Sequence, residues 1–338
     1  MLAEFDLIRR YFTPDPTSCQ AQPGMALGIG DDATLLAPRT GHELAVSVDT
    51  SVVDVHFPAD APARAVGHRA LAVALSDLAA MGAEARWCWM ALTLDAAQLA
   101  DERAAHAWLD AYAQGFLDGC ARWHSVLAGG DVTSGRLAVS VTVMGDVPAG
   151  QALRRSGAAA GDIVAVTGAL GGGAGGLAVW QRGERDLAHP LLRRYLLPEP
   201  QLEAGMVLRD FATSAMDISD GLLADLGHIC RASGVDVVLQ PEALPLAEGL
   251  TDALGADKAR RAGLSGGDDY ELLVTLAPAH LAPARQALAA RGIALTPVGR
   301  CVAPGAPEAN TARLEAAMEG RGWQHFVPPG APFGEAGR

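Results

Sequence analysis

The sequence predicts an α/β protein of two domains. Strand-like apolar runs alternate with Ala- and Leu-rich segments of helical spacing along most of the chain. The 338 residues, half of them hydrophobic, are enough for two cores of ordinary size. A stretch rich in Gly, Ala, Pro and Arg, from Asp146 to Gly161, separates one alternating series from the next. The boundary is placed near residue 148, giving domains 1–147 and 148–338.

In the first domain, Met1 to Tyr11 mixes Glu4, Asp6, Arg9 and Arg10 with apolar residues and reads as an amphipathic helix, not a signal peptide. Leu44 to Asp49 reads as a strand ending in an aspartate, and Ala63 to Met81 as a helix with a buried face. Trp87 to Leu94 is a second strand. Ala96 to Trp123 is a long helix with Glu102, Arg103 and Asp110 on its wet side. Val126 to Ala128 reads as a short strand delivering Gly129-Gly130-Asp131, and Leu137 to Met144 alternates as a strand does. In the second domain, Ile163 to Thr167, Asp236 to Leu239, Glu271 to Leu276 and Leu295 to Val298 are strands. Gly171 to Gln181, Pro200 to Phe211, Asp220 to Ala232 and Ala279 to Arg291 are helices, the second with proline at its start. Gly305 to Ala312 reads as loop, and the residues after Val327 as a loose tail.

Composition narrows the function. Lys and Arg number 26 against 39 Asp and Glu, a net charge of −13, so a basic nucleic-acid footprint is not expected. Bound metal ions can still invert the local charge and admit anionic substrates. Five cysteines lie scattered without CxxC spacing, which reads as reduced thiols in the cytoplasm and no zinc site. No window reaches ~18 uncharged apolar residues, so no membrane span is expected.

Glycine-flanked aspartates recur along the whole chain: Gly30-Asp31-Asp32, Val48-Asp49-Thr50, Ser76-Asp77, Gly129-Gly130-Asp131, Asp217-Ile218-Ser219-Asp220-Gly221 and Gly266-Gly267-Asp268-Asp269. Two carboxylates near 4 Å repel by about 1 kcal/mol in water and about 4 kcal/mol at an effective dielectric near 20. A cleft that gathers several needs cations. Hard oxygen ligands suit Mg²⁺, which binds through a few carboxylates plus phosphate oxygens. The chain therefore reads as a Mg²⁺-dependent, phosphate-handling enzyme. Each cluster also has a plainer explanation: an Asp-Gly turn at Asp32, a tight βα turn at Asp131, a helix cap at Asp217 to Asp220, a hairpin turn at Asp268. Asp77 stands among apolar Leu75, Leu78 and Met81, where a solvated carboxylate is least expected. Gly168 to Gly176 lacks the Gly-Lys-Ser/Thr of a Walker A loop, and helix entry with close packing is the favoured reading over phosphate contact. Arg154-Arg155 is a compact basic spot, suited to phosphate or simply solvated. His56 on spacing alone reads as a packed histidine, and Trp323 and Phe326 as cover for a flat ring or plugs of the core.

Taken in order, GIGDDA, SVDT…VHF, ALAVALSDLAAMGA, GGDVTSG, RSGAAAGD, DISDGLLADLGHI and GGDDYELL resemble the thiamine-monophosphate kinase family, from about Glu4 to about Phe326. The wider superfamily is aminoimidazole ribonucleotide synthetase-like. The resemblance implies transfer of the ATP γ-phosphoryl group onto thiamine monophosphate, giving thiamine diphosphate. The attack would be direct and in line, with several Mg²⁺ ions and no phosphoenzyme. It implies a homodimer in which two N-terminal sheets pair into a barrel, and a C-terminal domain that completes the active-site cleft. Residue by residue, Asp32, Ser47, Asp49, Asp77, Asp131, Asp217 and Asp220 match metal-binding positions. Gly130, Asp131, Arg155 and Ser219 match nucleotide contacts, and His56, Asp268 and Trp323 match thiamine phosphate contacts. No side-chain base is expected to be essential, since a phosphate monoester is largely ionised near pH 7. Val48 stands where relatives often carry Thr, so a hydroxyl is lost there, and the helix near Tyr112 and Ala113 lacks the aromatic spacing expected of an adenine neighbour. A sister ATP-using synthetase and a nucleotide-binding protein without catalysis are the alternatives.

Overall fold

The computed structural model describes residues 4–13, 24–95 and 101–317. Cys19, Trp323, Phe326 and the tail lie outside the described residues. The chain forms two compact units, Met1–Ala79 with Ala83–Ala152, and Ala80–Gly82 with Leu153–Arg338.

The first unit opens with α1 (Glu4–Leu7), which runs into a π turn at Ile8–Phe12. A small ribbon of β1 (Met25–Leu27) and β2 (Leu35–Leu36) follows. Then come β3 (His42–Val52), α2 (Ala63–Ala80), β4 (Glu84–Leu94), α3 (Glu102–Arg122), β5 (Val126–Ser134) and β6 (Ala138–Pro148). The Asp101 carboxylate caps α3 by accepting from Ala104 N at 3.0 Å. The two long helices touch backbone to backbone. A Cβ on Gly67 would lie 2.2 Å from Tyr112 O, and one on Gly115 would lie 1.9 Å from Arg64 O.

The strands are ordered β3-β6-β4-β5, with β4 and β5 parallel and the other pairs antiparallel. One face of the sheet is a core face: Cys88, Met90, Leu92, Val139, Val141 and Val143 are buried on it. Tyr112 of α3 donates its hydroxyl to Met90 Sδ at 3.1 Å on this side. Edge strand β3 inverts the usual alternation. Leu44, Val46 and Val48 are 38%, 56% and 64% exposed on the other face, while Ser47 and Asp49 share the core face.

The second unit contains β7 (Ile163–Thr167), α4 (Gly172–Gln181), α5 (Pro190–Leu196), α6 (Leu202–Leu208), β8 (Ala212–Asp217), α7 (Leu222–Ser233) and β9 (Asp236–Leu239). It continues with α8 (Leu250–Leu254), α9 (Ala256–Ser265), β10 (Leu272–Leu276), α10 (Pro278–Ala289), β11 (Leu295–Val302) and α11 (Thr311–Ala317). Its sheet runs β8-β10-β7-β11-β9, antiparallel throughout. Every residue of β10 is buried, as its apolar Leu-Leu-Val-Thr-Leu sequence requires of a strand covered on both faces. Val166, Ile218, Leu226 and Leu273 share the core beneath the α7 side, each contributing roughly 1.5–3 kcal/mol by burial.

Several elements differ from expectation. Gly129-Gly130-Asp131 does not follow a short strand but lies inside β5, whose pairing with β4 continues through Ser134. Strand β8 and helices α5, α8 and α9 were not expected, α6 is shorter than Pro200 to Phe211, and α11 begins inside the stretch read as loop.

Candidate active site

In the first unit, the register of the sheet decides which carboxylates meet. Ser47 and Asp49 are two residues apart on β3 and therefore point to the same, core face. Helix α2 lies on that face, and Ser47 donates its hydroxyl to Asp77 Oδ2 at 2.5 Å. Ser47 and Asp77 thus join a helix to an edge strand, and Asp49 lies two residues on along the same face.

Asp131 belongs elsewhere. It is paired in register with Ala91, and through Ala91 with Ser140 and Thr50, so its side chain lies on the face opposite Asp49. Three strand spacings separate β5 from β3, about 14 Å. Asp131 instead neighbours the loop that carries Asp32. Thr34 Oγ1 donates to Ala128 O at 2.7 Å and accepts from Trp89 Nε1 at 3.3 Å, fixing that loop to the start of Gly129-Gly130-Asp131. Asp32 itself is exposed, its N–H held by Asp31 Oδ1 at 2.8 Å. Gly130 has φ +156, and a Cβ there would lie 2.0 Å from Met90 O, so only glycine fits. Val48 points away from Ser47 and Asp49, so the hydroxyl missing there is missing from the other face.

His56 sits in a tight turn just past β3, beside Asp54 at φ +61. Its Nδ1 accepts the Val52 N–H at 3.0 Å, so the neutral ring carries its proton on Nε2.

In the second unit, the two acidic motifs are brought together by backbone hydrogen bonds. Asp268 N donates to Ser219 O at 2.9 Å, Tyr270 N to Ile218 O at 2.9 Å, and Ile218 N to Glu271 O at 2.8 Å. Asp217 ends β8 opposite Leu272, so Asp217, Ser219, Asp220 and Asp268 share one end of the sheet. A Cβ on Gly267 would lie 2.4 Å from Ser219 O, which explains the glycine beside Asp268. Arg155 reaches the same neighbourhood. Burial, then the positive charges of Arg231 and Arg155, lower the pKa of the exposed His228 imidazole, and Asp220 acts against them.

Sequence reasoning gave no role to four charged residues here, Asp225, Asp269 and Glu271, which lie inside its motifs, and Arg194, which does not. Asp225, in the first turn of α7, accepts the N–H groups of Ser219, Asp220 and Gly221 at 3.1, 3.2 and 3.2 Å. Burial, with Asp217 and Asp220 adding negative potential, raises its carboxyl to about 8. Asp269 accepts from Gly171 N at 2.8 Å and Gly173 N at 3.2 Å and so caps α4. The glycine run therefore serves helix entry, and these two donors are occupied by a residue of the chain itself. Glu271 accepts from Thr167 Oγ1 at 2.8 Å and from Arg194 Nη1 at 2.7 Å. The spacing of Asp225 after Asp220 could have found the first, since an acidic residue in a first turn reaches back to the cap, and the GGDDYELL motif already held Asp269 and Glu271.

Among the described residues, no group of three or more His, Cys, Asp or Glu side chains is arranged to hold a metal ion by itself. The donors nevertheless suit a hard cation completed by phosphate oxygens. All are oxygens, and the Asp225 carboxyl, raised first by burial, is raised further by the negative charges of Asp217 and Asp220.

Comparison with known proteins follows the same division of the chain. Residues 30–147 match the model of the AIR synthase related protein N-terminal domain, and residues 159–310 that of the C-terminal domain. The thiamine-monophosphate kinase of Salmonella typhimurium is 39% identical over 332 residues, covering 96% of this chain and 99% of that one. The Escherichia coli K12 enzyme of the same name is 38% identical over 340 residues, with the same coverage. The chain belongs to the thiamine-monophosphate kinase family. The crystal structure of the family member from Stenotrophomonas maltophilia K279a superposes with a TM-score of 0.80 at 43% identity, over 90% of this chain and 95% of that one. AaThiL complexed with AMPPCP and TMP superposes with a TM-score of 0.73 at 26% identity, over 86% and 89%. The family assignment accounts for the α/β fold of two AIR-synthase-related domains. Within the thiamine-monophosphate kinase family, Trp323 lies outside the residues described for this chain.

Proposed function

We propose that this chain transfers the γ-phosphoryl group of ATP to thiamine monophosphate, giving thiamine diphosphate. The observation that carries the reading is the pairing of Asp268 and Tyr270 with Ile218 and Ser219. It sets the expected thiamine phosphate contact beside the expected nucleotide and metal residues, in a family whose AaThiL member is seen with AMPPCP and TMP.

Both substrates are anions, so the reaction is limited by charge and position more than by covalent chemistry. Asp32, Ser47, Asp49, Asp77, Asp131, Asp217 and Asp220 are the residues that would hold Mg²⁺. When bound, Mg²⁺ neutralises the phosphate oxygens and orients them for in-line displacement. Asp49 and Asp131 lie on opposite faces of one sheet, which supports several ions over one. Arg155, Ser219 and Gly130 orient the nucleotide. His56, through Nε2–H, and Asp268 orient thiamine monophosphate. No side chain takes a proton from the attacking phosphate, which is already ionised.

The homodimer is part of the same reading. The exposed Leu44, Val46 and Val48 on edge strand β3 support pairing with a second copy, which would cover them. Cys88, Cys120, Cys230 and Cys301 are free thiols, Cys88 Sγ and Cys120 Sγ lying 3.8 Å apart without a disulfide, which supports a reducing compartment, the cytoplasm. Among the described residues no helix is long and apolar enough to cross a membrane.

The deciding experiment incubates the protein with ATP, Mg²⁺ and thiamine monophosphate and resolves thiamine diphosphate by chromatography. Product formation establishes the activity. Its absence from folded protein that still binds Mg-ATP moves the assignment to a sister synthetase or a binding protein.

A further inference from the structure

Asp268 and Tyr270 both adopt left-handed backbone conformations, with φ +68 and φ +51. Residues with side chains pay for that conformation, and it persists only where the surroundings over-determine it. The N-terminal side of the turn is held to the Asp217–Asp220 segment by the hydrogen bonds of Asp268 and Tyr270. Tyr270 also closes back on its neighbour, donating its hydroxyl to Asp268 Oδ1 at 2.7 Å. The C-terminal side depends on Glu271. Its side chain is 1% exposed and bridges Thr167, the last residue of β7, to Arg194 of α5. Thr167 Oγ1 in turn accepts Leu272 N at 2.8 Å, so the entry to β10 is locked on two atoms.

Arg194 is the cation of this arrangement. Its side chain is 42% exposed, lies against the first turn of α4 and meets Glu271 at 2.7 Å. Removing the cation from a buried ion pair leaves an uncompensated charge, which is strongly destabilising. Without Arg194, Glu271 is left buried without its cation, and the strained turn beside it loses that support.

We propose that Arg194 is a positioning residue for thiamine monophosphate: by pairing with Glu271 it fixes the left-handed turn that presents Asp268. The inference rests on the reading of Asp268 as a substrate contact. Arg194 acts through Glu271 and does not itself meet substrate.

The test compares native protein with Arg194→Ala and Arg194→Lys, measuring KM for each substrate, kcat and amide hydrogen exchange. Arg194→Ala is expected to raise KM for thiamine monophosphate about tenfold and leave KM for ATP within about twofold. Exchange should speed at residues 266–271 and stay unchanged along α7. Arg194→Lys keeps the charge without the fork, so its KM should fall between the two, and it carries the test if the alanine variant does not fold. Unchanged exchange at 266–271, or equal rises in both KM values, would overturn the proposal. If native protein makes no thiamine diphosphate, the kinase reading fails and the substrate role with it, while the exchange comparison still decides whether Arg194 holds the turn.

Discussion

The hydroxyl of Ser47 reaches the carboxylate of Asp77 at 2.5 Å, tying edge strand β3 to helix α2 through two residues of the expected metal set. Asp77→Asn keeps this acceptor and removes the charge. We expect kcat to fall at least about 100-fold, a loss larger than that for a residue supporting a ligand from outside. The melting temperature should stay close to native. Raising Mg²⁺ should restore part of the rate, and a rate indifferent to the substitution would remove Asp77 from the metal set.

His56 separates positioning from proton transfer. His56→Ala is expected to raise KM for thiamine monophosphate and leave kcat within about threefold, because the attacking phosphate needs no base. A steep loss of kcat at unchanged KM would make His56 a general base and overturn that part of the mechanism.

Gly130 tests the backbone of β5. Gly130→Ala places a Cβ 2.0 Å from Met90 O and should cost roughly 3 kcal/mol of stability. Gly41→Ala is the control. It has φ +77 with nothing within 4 Å and should cost about 1 kcal/mol. Urea unfolding of both variants measures the difference.

Asp269 should leave a mark on the pH dependence of stability. Burial raises its carboxyl from the ordinary 3.8 to about 7. Between those values the folded state holds a proton that the unfolded state has released, so stability from this group declines as pH rises from about 4 to about 7. Asp269→Asn cannot titrate. Its melting temperature relative to native protein should therefore climb across that interval and level off above it, whatever the fixed cost of losing one acceptor at α4. A difference that stays flat with pH would show that Asp269 titrates alike in both states.

The exposed apolar face of β3 should govern assembly. Val46→Lys is expected to convert dimer to monomer in sedimentation velocity, with the far-UV spectrum unchanged. A native protein already monomeric at micromolar concentration would remove the dimer from the proposal.

Much of this molecule was legible in the sequence because its signals are local. Ile163 to Thr167 and Asp236 to Leu239 are strands at the expected residues, since apolar β-branched runs between turns leave little choice. Helix α2 ends within a residue of expectation at Gly82 and its turn. What was missed depends on partners distant in sequence. Ala212 to Asp217 carries Thr, Ser and two Ala, too polar to read as a strand, and becomes one only because buried β10 pairs with it. Helices α8 and α9 are short, and they pack against α4, α9 against α7 as well, partners that the sequence does not announce. The acidic motifs were visible one by one. The register of β5, which puts Asp131 on the face opposite Asp49, was not, because the bulge between Cys88 and Trp89 leaves no mark in the sequence. Arg194 and Glu271 are separated by 77 residues, and Arg194 lies in no motif, so nothing in the sequence pairs it with the Glu271 of GGDDYELL.

Strand β3 turns its valines outward and its serine and aspartate inward. A lone copy therefore keeps water on Leu44, Val46 and Val48 and gains nothing from that surface when it folds. A partner that covered those residues would supply folding energy that the isolated chain lacks, and would do so by mass action. If a second copy is what covers them, dilution would work as a mild denaturant for this protein, and its heat resistance would be a property of the solution's concentration as well as of the sequence.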